Sequence, residues 1–264
     1  MLPINNKEEK NSSVKSVLKA FRILEELDNC GELSLGELSK RLTMDKATVH
    51  RLVNTIKEAG YVNQNKEDKK YSNSYKLFAM GNKVVGRAGF KKIARPYLEN
   101  LADRTQETIN LGVRSDNEIV YIDKIESNST IKVGLDIGTT VPIYCSGLGK
   151  ALLPYDSECE IEAFISNTYF EKFTKKSIIE KSQILKELNS VKTKGFSLDD
   201  EEYVEGLICF GAPIFEFHGK PIAAVSVSCP KYRYDESKHL ELYSKLVLET
   251  AKAISLQLGY RIGG

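Results

Sequence analysis

SLGELSKRL-TMD-KATVHRLVNTIKEAG, residues Ser34 to Gly60, reads as two short helices joined by a tight turn. Ser34 followed by Glu37 forms a capping box, in which a hydroxyl accepts from a free backbone N–H and a carboxylate reaches back. Leu35, Leu38 and Leu42 repeat at helical spacing on one face. After Thr43 and Met44, Asp45 is placed to accept from the open N–H groups of the second helix. Val49, Leu52, Val53 and Ile56 form that helix's apolar stripe. Its other face presents Lys46, Thr48, His50, Arg51, Asn54 and Thr55, side chains able to reach phosphates and base edges. Gly60 supplies a left-handed stop. The pattern is that of a helix-turn-helix, with double-stranded DNA as the partner.

The flanks fit. Upstream, Val14, Val17, Leu18, Phe21, Leu24 and Leu27 keep helical rhythm and predict a helix packed behind the pair. Downstream, Tyr61–Asn63 and Tyr71–Tyr75 bracket the polar run Gln64–Lys70. Two short strands around such a tip make the wing of a winged helix, with Lys66, Lys69 and Lys70 near the DNA backbone. A solvated loop tip is the plainer alternative. Residues 1–89 carry 16 Lys and Arg against 11 Asp and Glu, a net of +5, and residues 90–264 a net of −3. A basic first third joined to a slightly acidic remainder suits a nucleic-acid module attached to something else.

Other classes recede. The five cysteines are dispersed, with no C-x-x-C spacing, and there are three histidines. A zinc finger or redox dithiol is not expected, and no metal or cofactor is called for. A polar amino terminus without an apolar core, and no run of spanning length, predict a cytoplasmic protein with no membrane partner.

The expected organisation is an arm over residues 1–12, a winged helix-turn-helix over 13–76, a linker helix over 77–89 and a larger domain over 90–264. In the last, a helix is expected at 93–105. Strands are expected at 108–113, 118–125, 131–135, 207–217 and 221–228. Helices are expected at 149–154, 159–165, 179–194 and 235–259. Short strands, long connections and a terminal helix predict an α+β domain on an antiparallel sheet.

With these elements placed, the chain resembles the IclR family of transcriptional regulators over nearly its full length. The resemblance rests on Ser16–Leu24, Lys46–Leu52, Gly138-Thr139-Thr140-Val141-Pro142, Ser146–Ala151, Gly195–Glu202 and Gly206–Phe215, in this order. It implies a winged helix-turn-helix, a linker helix and a GAF-like domain that binds a small effector. It also implies a homodimer or homotetramer, with the N-terminal helix contributing to dimerisation. The family's effector contacts fall on Gly147, Leu148, Asp199, Cys209, Ser226 and Ser228.

Strand periodicity reaches part of that site independently. Ala224, Ser226 and Ser228 share one face of their strand, and Leu207, Cys209 and Gly211 share one face of theirs. Small, weakly polar residues on neighbouring strands leave room and hydroxyl groups for a compact polar ligand. Ser146-Gly147-Leu148-Gly149-Lys150 precedes a short helix whose N–H groups can meet a carboxylate. It departs from a Walker A loop, with Tyr144 at the first glycine position and Ala151 in place of Ser/Thr. Asp199 beside an anionic ligand would repel it unless protonated or accepting from a ligand hydroxyl. A small oxo- or hydroxy-acid, or a sugar acid, is therefore the expected effector.

The first expectation is thus a one-component transcription factor, reading a roughly palindromic operator as a symmetric dimer. The alternatives are a hydrolase or transferase with an appended DNA module, using Cys209, and a regulator whose second domain serves only as a dimeriser. No histidine has an evident role beside Cys209, and a buried structural cysteine is the commoner case.

Overall fold

The computed structural model describes residues 14–87, 89–128 and 135–261, in two compact units that divide at Arg87 and Ala88. The expected arm and residues 131–134 of one expected strand lie outside the described residues.

In the first unit, α1 (Lys15–Cys30), β1 (Glu32–Leu33), α2 (Leu35–Leu42), α3 (Lys46–Glu58), β2 (Val62–Gln64), β3 (Tyr71–Asn73) and α4 (Tyr75–Arg87) follow in order. Ser34 and Glu37 make the capping box in full, and Asp45 Oδ1 accepts from Thr48 N at 2.8 Å. Thr43 takes a left-handed conformation (φ 53°) and turns the chain between α2 and α3. Gly60, with φ 82°, lets Tyr61 N donate back to the Ile56 carbonyl and closes α3. The core joins Ile23, Leu27, Leu38, Leu42, Val49, Val53 and Ile56 to Val62 and Tyr71.

The wing has three strands, in order β1-β3-β2. Its third strand, Glu32–Leu33, is too short to announce itself by alternation. Tyr75 belongs to α4 rather than to the wing. The stripe on α1 is also corrected: Ile23 and Leu27 are buried, but Val14, Val17, Leu18 and Phe21 are about half exposed or more. Only the second half of α1 has α2, α3 and β3 to pack against. Among the described residues the first half is left largely bare, beside an apolar groove of about 500 Å³ lined by Val17, Phe21, Leu24, Leu52, Tyr61 and Leu77.

The second unit opens with α5 (Phe90–Thr105) and builds a six-stranded antiparallel sheet from β4 (Thr108–Ser115), β5 (Glu118–Ile125), β6 (Thr140–Pro142), β7 (Ser197–Asp200), β8 (Leu207–Phe215) and β9 (Pro221–Pro230). The strand order is β6-β5-β4-β9-β8-β7. Helices α6 (Gly147–Leu152), α7 (Glu158–Asn167) and α8 (Lys181–Lys194) cover one face, while α5 and α9 (Glu236–Gln257) cover the other. Buried on both faces, β8 and β9 read as continuous apolar runs. A bulge between Leu111 and Gly112 sets Asp123 on the α5 face, where Arg95 Nη1 meets it at 3.1 Å, and Lys124 on the α6 face opposite Asn110.

Among the described residues, no helix is long and apolar enough to cross a membrane.

Candidate functional site

On the first unit, the exposed side of α3 carries Lys46, His50 and Arg51, flanked by the half-exposed Thr48 and Asn54. Asn54 Nδ2 lies 3.2 Å from His50 Nε2, so these two side chains form one polar ledge along the helix. Thr55 is corrected. Its hydroxyl donates to the Arg51 carbonyl at 2.9 Å, and the residue lines the apolar groove beside Leu52 and Ile56. At the wing tip, Asn65 Oδ1 accepts from Glu67 N and Asp68 Oδ1 from Lys70 N, which stiffens the turn. Lys69 sits there in a left-handed conformation (φ 61°), exposed, with Lys70 half-exposed beside it.

On the second unit, the expected effector residues come together beneath α6. Antiparallel partners share a face. One row across the sheet runs Ser197, Gly211, Ser226, Asn110, Lys124, and the next runs Asp199, Cys209, Ser228, Thr108. Asp199 is on strand β7, not in a loose acidic turn, and this register sets it beside Cys209. Helix α6 begins at Gly147, two residues earlier than expected, with Ser146 Oγ accepting from Gly149 N at 3.1 Å. It lies flush on the strands. A methyl on Gly211 would overlap the Gly147 carbonyl, and one on Gly149 the Ile143 carbonyl. Leu148 rests on Gly112, and Ser197 Oγ donates to the Gly147 carbonyl.

Asp199, Cys209, Ser226 and Ser228 are all buried. Cys209 Sγ is 3.2 Å from Ser228 Oγ, and Asn110 Nδ2 donates to Ser228 Oγ at 3.0 Å. Beside them lies a buried charge cluster. Lys150 Nζ contacts Glu202, Glu187 Oε1 at 3.0 Å and the Leu198 carbonyl, while Asp199 Oδ1 accepts from Glu202 N at 2.8 Å. Burial works against the Lys150 ammonium, but Glu202, Glu187 and Asp199 outweigh it and hold the group above its ordinary range. One cation thus serves three carboxyls. Burial, only partly offset by Lys150 and reinforced by Glu202, pushes Asp199 up to about 7. The connection from α7 to α8 closes over this cluster, with Glu171 N donating to Tyr144 Oη at 2.8 Å and Ser177 Oγ to the Glu202 carbonyl at 2.6 Å.

Asn110, Lys124, Lys150 and Glu202 escape a reading of the sequence alone. Asn110 had a usable signal: in Thr108–Val113 the polar or small residues Thr108, Asn110 and Gly112 alternate with Ile109, Leu111 and Val113. Without knowing that β4 pairs with β9, the alternation has no address. Lys150 had none, because a lone lysine on a short helix is ordinarily solvated.

Nothing here supports Cys209 as a nucleophile. Burial pushes its thiol well up, so it stays protonated, and His239 packs against Tyr243 on α9, across the sheet.

Two family models match the chain. Residues 16–66 match the IclR helix-turn-helix domain, and residues 82–256 match the bacterial transcriptional regulator IclR C-terminal domain. The HTH-type transcriptional regulator KdgR of Escherichia coli (strain K12) is 36% identical over 248 residues, which is 94% of this chain and 94% of that relative. The crystal structure of Thermotoga maritima IclR matches with a TM-score of 0.74 and 32% identity, covering 93% of this chain and 99% of that one. An IclR homolog from Microbacterium hydrocarbonoxydans, complexed with 4-hydroxybenzoate, shares the fold at 18% identity with a TM-score of 0.79. It covers 92% of this chain and 98% of its own.

Proposed function

Because the chain belongs to the IclR family of DNA-binding transcriptional regulators and is not an enzyme, we propose that it is a repressor whose operator affinity is set by a small carboxylic acid held beside α6, over the face of β7–β9 that carries Asp199, Cys209, Ser226 and Ser228. The observation that carries this reading is the buried polar floor of Asp199, Cys209, Ser226 and Ser228, assembled from three strands in adjacent registers. Hydroxyls and a carboxyl gathered so deep in an apolar domain are costly unless they meet partners. A compact oxo-acid, hydroxy-acid or sugar acid, with its carboxylate toward Gly147 and Leu148, adds to the partners that Glu202 N and Asn110 already give Asp199 and Ser228. The Microbacterium neighbour binds a molecule of this kind, with a carboxylate at one end and a hydroxyl at the other.

Lys46, Thr48, His50, Arg51 and Asn54 read the major groove, with Lys69 and Lys70 on the phosphates. The half-exposed Val14, Val17, Leu18 and Phe21 of α1 favour a homodimer, in which a second copy covers what this copy leaves bare. Two recognition helices would then fall in successive major grooves about 34 Å apart, on a roughly palindromic operator. The acid must bind the DNA-competent and DNA-incompetent states with different affinity, and linkage converts that difference into release or capture of the operator.

Calorimetric titration of the full chain with a panel of small oxo-, hydroxy- and sugar acids tests the sensor, and operator anisotropy with and without each binder tests the coupling. The expected result is at least one acid that binds and shifts operator affinity. A panel without a binder would reject the sensor reading. Binding without any change at the operator would leave the second domain as a dimeriser only.

A further inference from the structure

Asn110 is 2% exposed, on the central strand β4, between Ser226 of β9 and Lys124 of β5. Its amide nitrogen is spoken for, donating to Ser228 Oγ at 3.0 Å and reaching Ser226 Oγ at 3.5 Å. Its amide oxygen, buried as deeply, has no partner among the described residues. We infer that Asn110 reads a hydroxyl on the effector, and so selects hydroxylated acids over acids that lack the group. This inference rests on the proposed effector site and adds to it a residue and a rule of selectivity.

The chemistry narrows the ligand. An amide oxygen only accepts, so a carboxylate or a ketone placed against it would set lone pair against lone pair. The group that satisfies it must bring an O–H or N–H. At neutral pH a simple oxo-acid has neither, while a hydroxy-acid or sugar acid has at least one hydroxyl. The amide is held with its nitrogen toward the two serines and its oxygen turned away from them. Ser228 is itself fixed against Cys209 Sγ at 3.2 Å. The acceptor is therefore preorganised, which lets a site reject a ligand lacking the matching donor. An oxygen left unpaired by the described residues also makes the hydroxylated ligand the one whose binding removes a buried defect.

The test compares the full-length protein with its Asn110→Leu variant by titration calorimetry against matched acids: glycolate and acetate, lactate and propionate, gluconate and hexanoate, 4-hydroxybenzoate and benzoate. In at least one pair the native protein should bind the hydroxylated member ~10-fold or more tighter, the worth of one well-placed hydrogen bond. In Asn110→Leu that preference should shrink to within about threefold, with affinity for the unhydroxylated member retained. Melting curves of the ligand-free proteins accompany the titrations, and Asn110→Ser, which keeps a small polar group beside Ser228, repeats the comparison if the leucine variant does not fold. A preference that survives both substitutions, or equal binding of both members by the native protein, overturns the role given to Asn110 and leaves the effector site standing. Failure of every acid to bind the native protein overturns the site and this role together. A variant that loses thermal stability while keeping its selectivity assigns Asn110 to structure alone.

Discussion

Replacing Asp199 with asparagine removes a proton-binding site from the proposed effector site and leaves its shape nearly unchanged. The carboxyl is buried among Lys150, Glu202 and Cys209, and with its pKa at about 7 it is half ionised at neutral pH. An anionic effector binds next to the neutral form and is repelled by the charged one. The neutral fraction falls from about nine-tenths at pH 6 to about one-tenth at pH 8, so effector affinity should fall about tenfold across that range. Binding should also draw in protons, about 0.1 per site at pH 6, about 0.5 at pH 7 and about 0.9 at pH 8. Titration calorimetry in buffers of different ionisation enthalpy reads both quantities at once. In Asp199→Asn the affinity should become flat with pH and the uptake should vanish, because the amide still accepts from Glu202 N but does not titrate. The sign for stability follows from the same raised value. Between the ordinary aspartate range and pH 7 the folded domain keeps a proton that the unfolded chain has released, so this group's contribution weakens as pH rises through that window. Asp199→Asn should accordingly melt higher than the native protein at pH 8, with the difference closing towards pH 4. Affinity that rises with pH, or proton release on binding, would refute the assignment of Asp199 to the ligand.

Other outcomes follow from the two units separately. Arg51→Ala and Lys46→Ala should each weaken operator binding and lower the slope of log affinity against log salt by about 1, with melting unchanged; unaltered gel-shift affinity would remove them from the interface. Lys150→Met strips the buried carboxyls of their cation and should destabilise the second unit by ~3–5 kcal/mol in denaturant unfolding, while the first unit is unaffected. Phe21→Glu puts a charge on the bare half of α1 and should shift sedimentation towards monomer, with a loss of operator affinity that far exceeds any loss of stability.

The sequence carried the DNA-binding unit almost whole, because caps and periodicity are local. Ser34 with Glu37, Asp45, and the spacing of Val49, Val53 and Ile56 settle two helices without reference to anything distant. What it did not carry was partnership. The stripe on α1 is continuous in sequence, yet among the described residues only its second half, with Leu24 and Leu27, packs into the core, while Val14, Val17, Leu18 and Phe21 stay about half exposed or more. In the second unit, Glu118–Ile125 was legible as a strand, and so were the faces of β8 and β9, because alternation is local too. The register that sets Asn110 beside Ser226 spans 116 residues, and Lys150 meets Glu202 across 52. Such pairings have no short-range signature. Ser197–Asp200 was missed as a strand because charged residues on a four-residue edge strand look like a turn.

Gly147 and Gly211 bring α6 so close to β8 that main chain, rather than side chains, would roof the proposed effector site. Main chain does not mutate. Point changes can recolour the floor, at Asn110, Asp199, Cys209 and the two serines, but they cannot raise the ceiling without prising a helix from its seat. If the effector lies there, a lineage of such regulators would drift among metabolites of similar bulk one substitution at a time. Reaching a larger one demands remodelled loops at the pocket's rim, an evolutionary step of a different order.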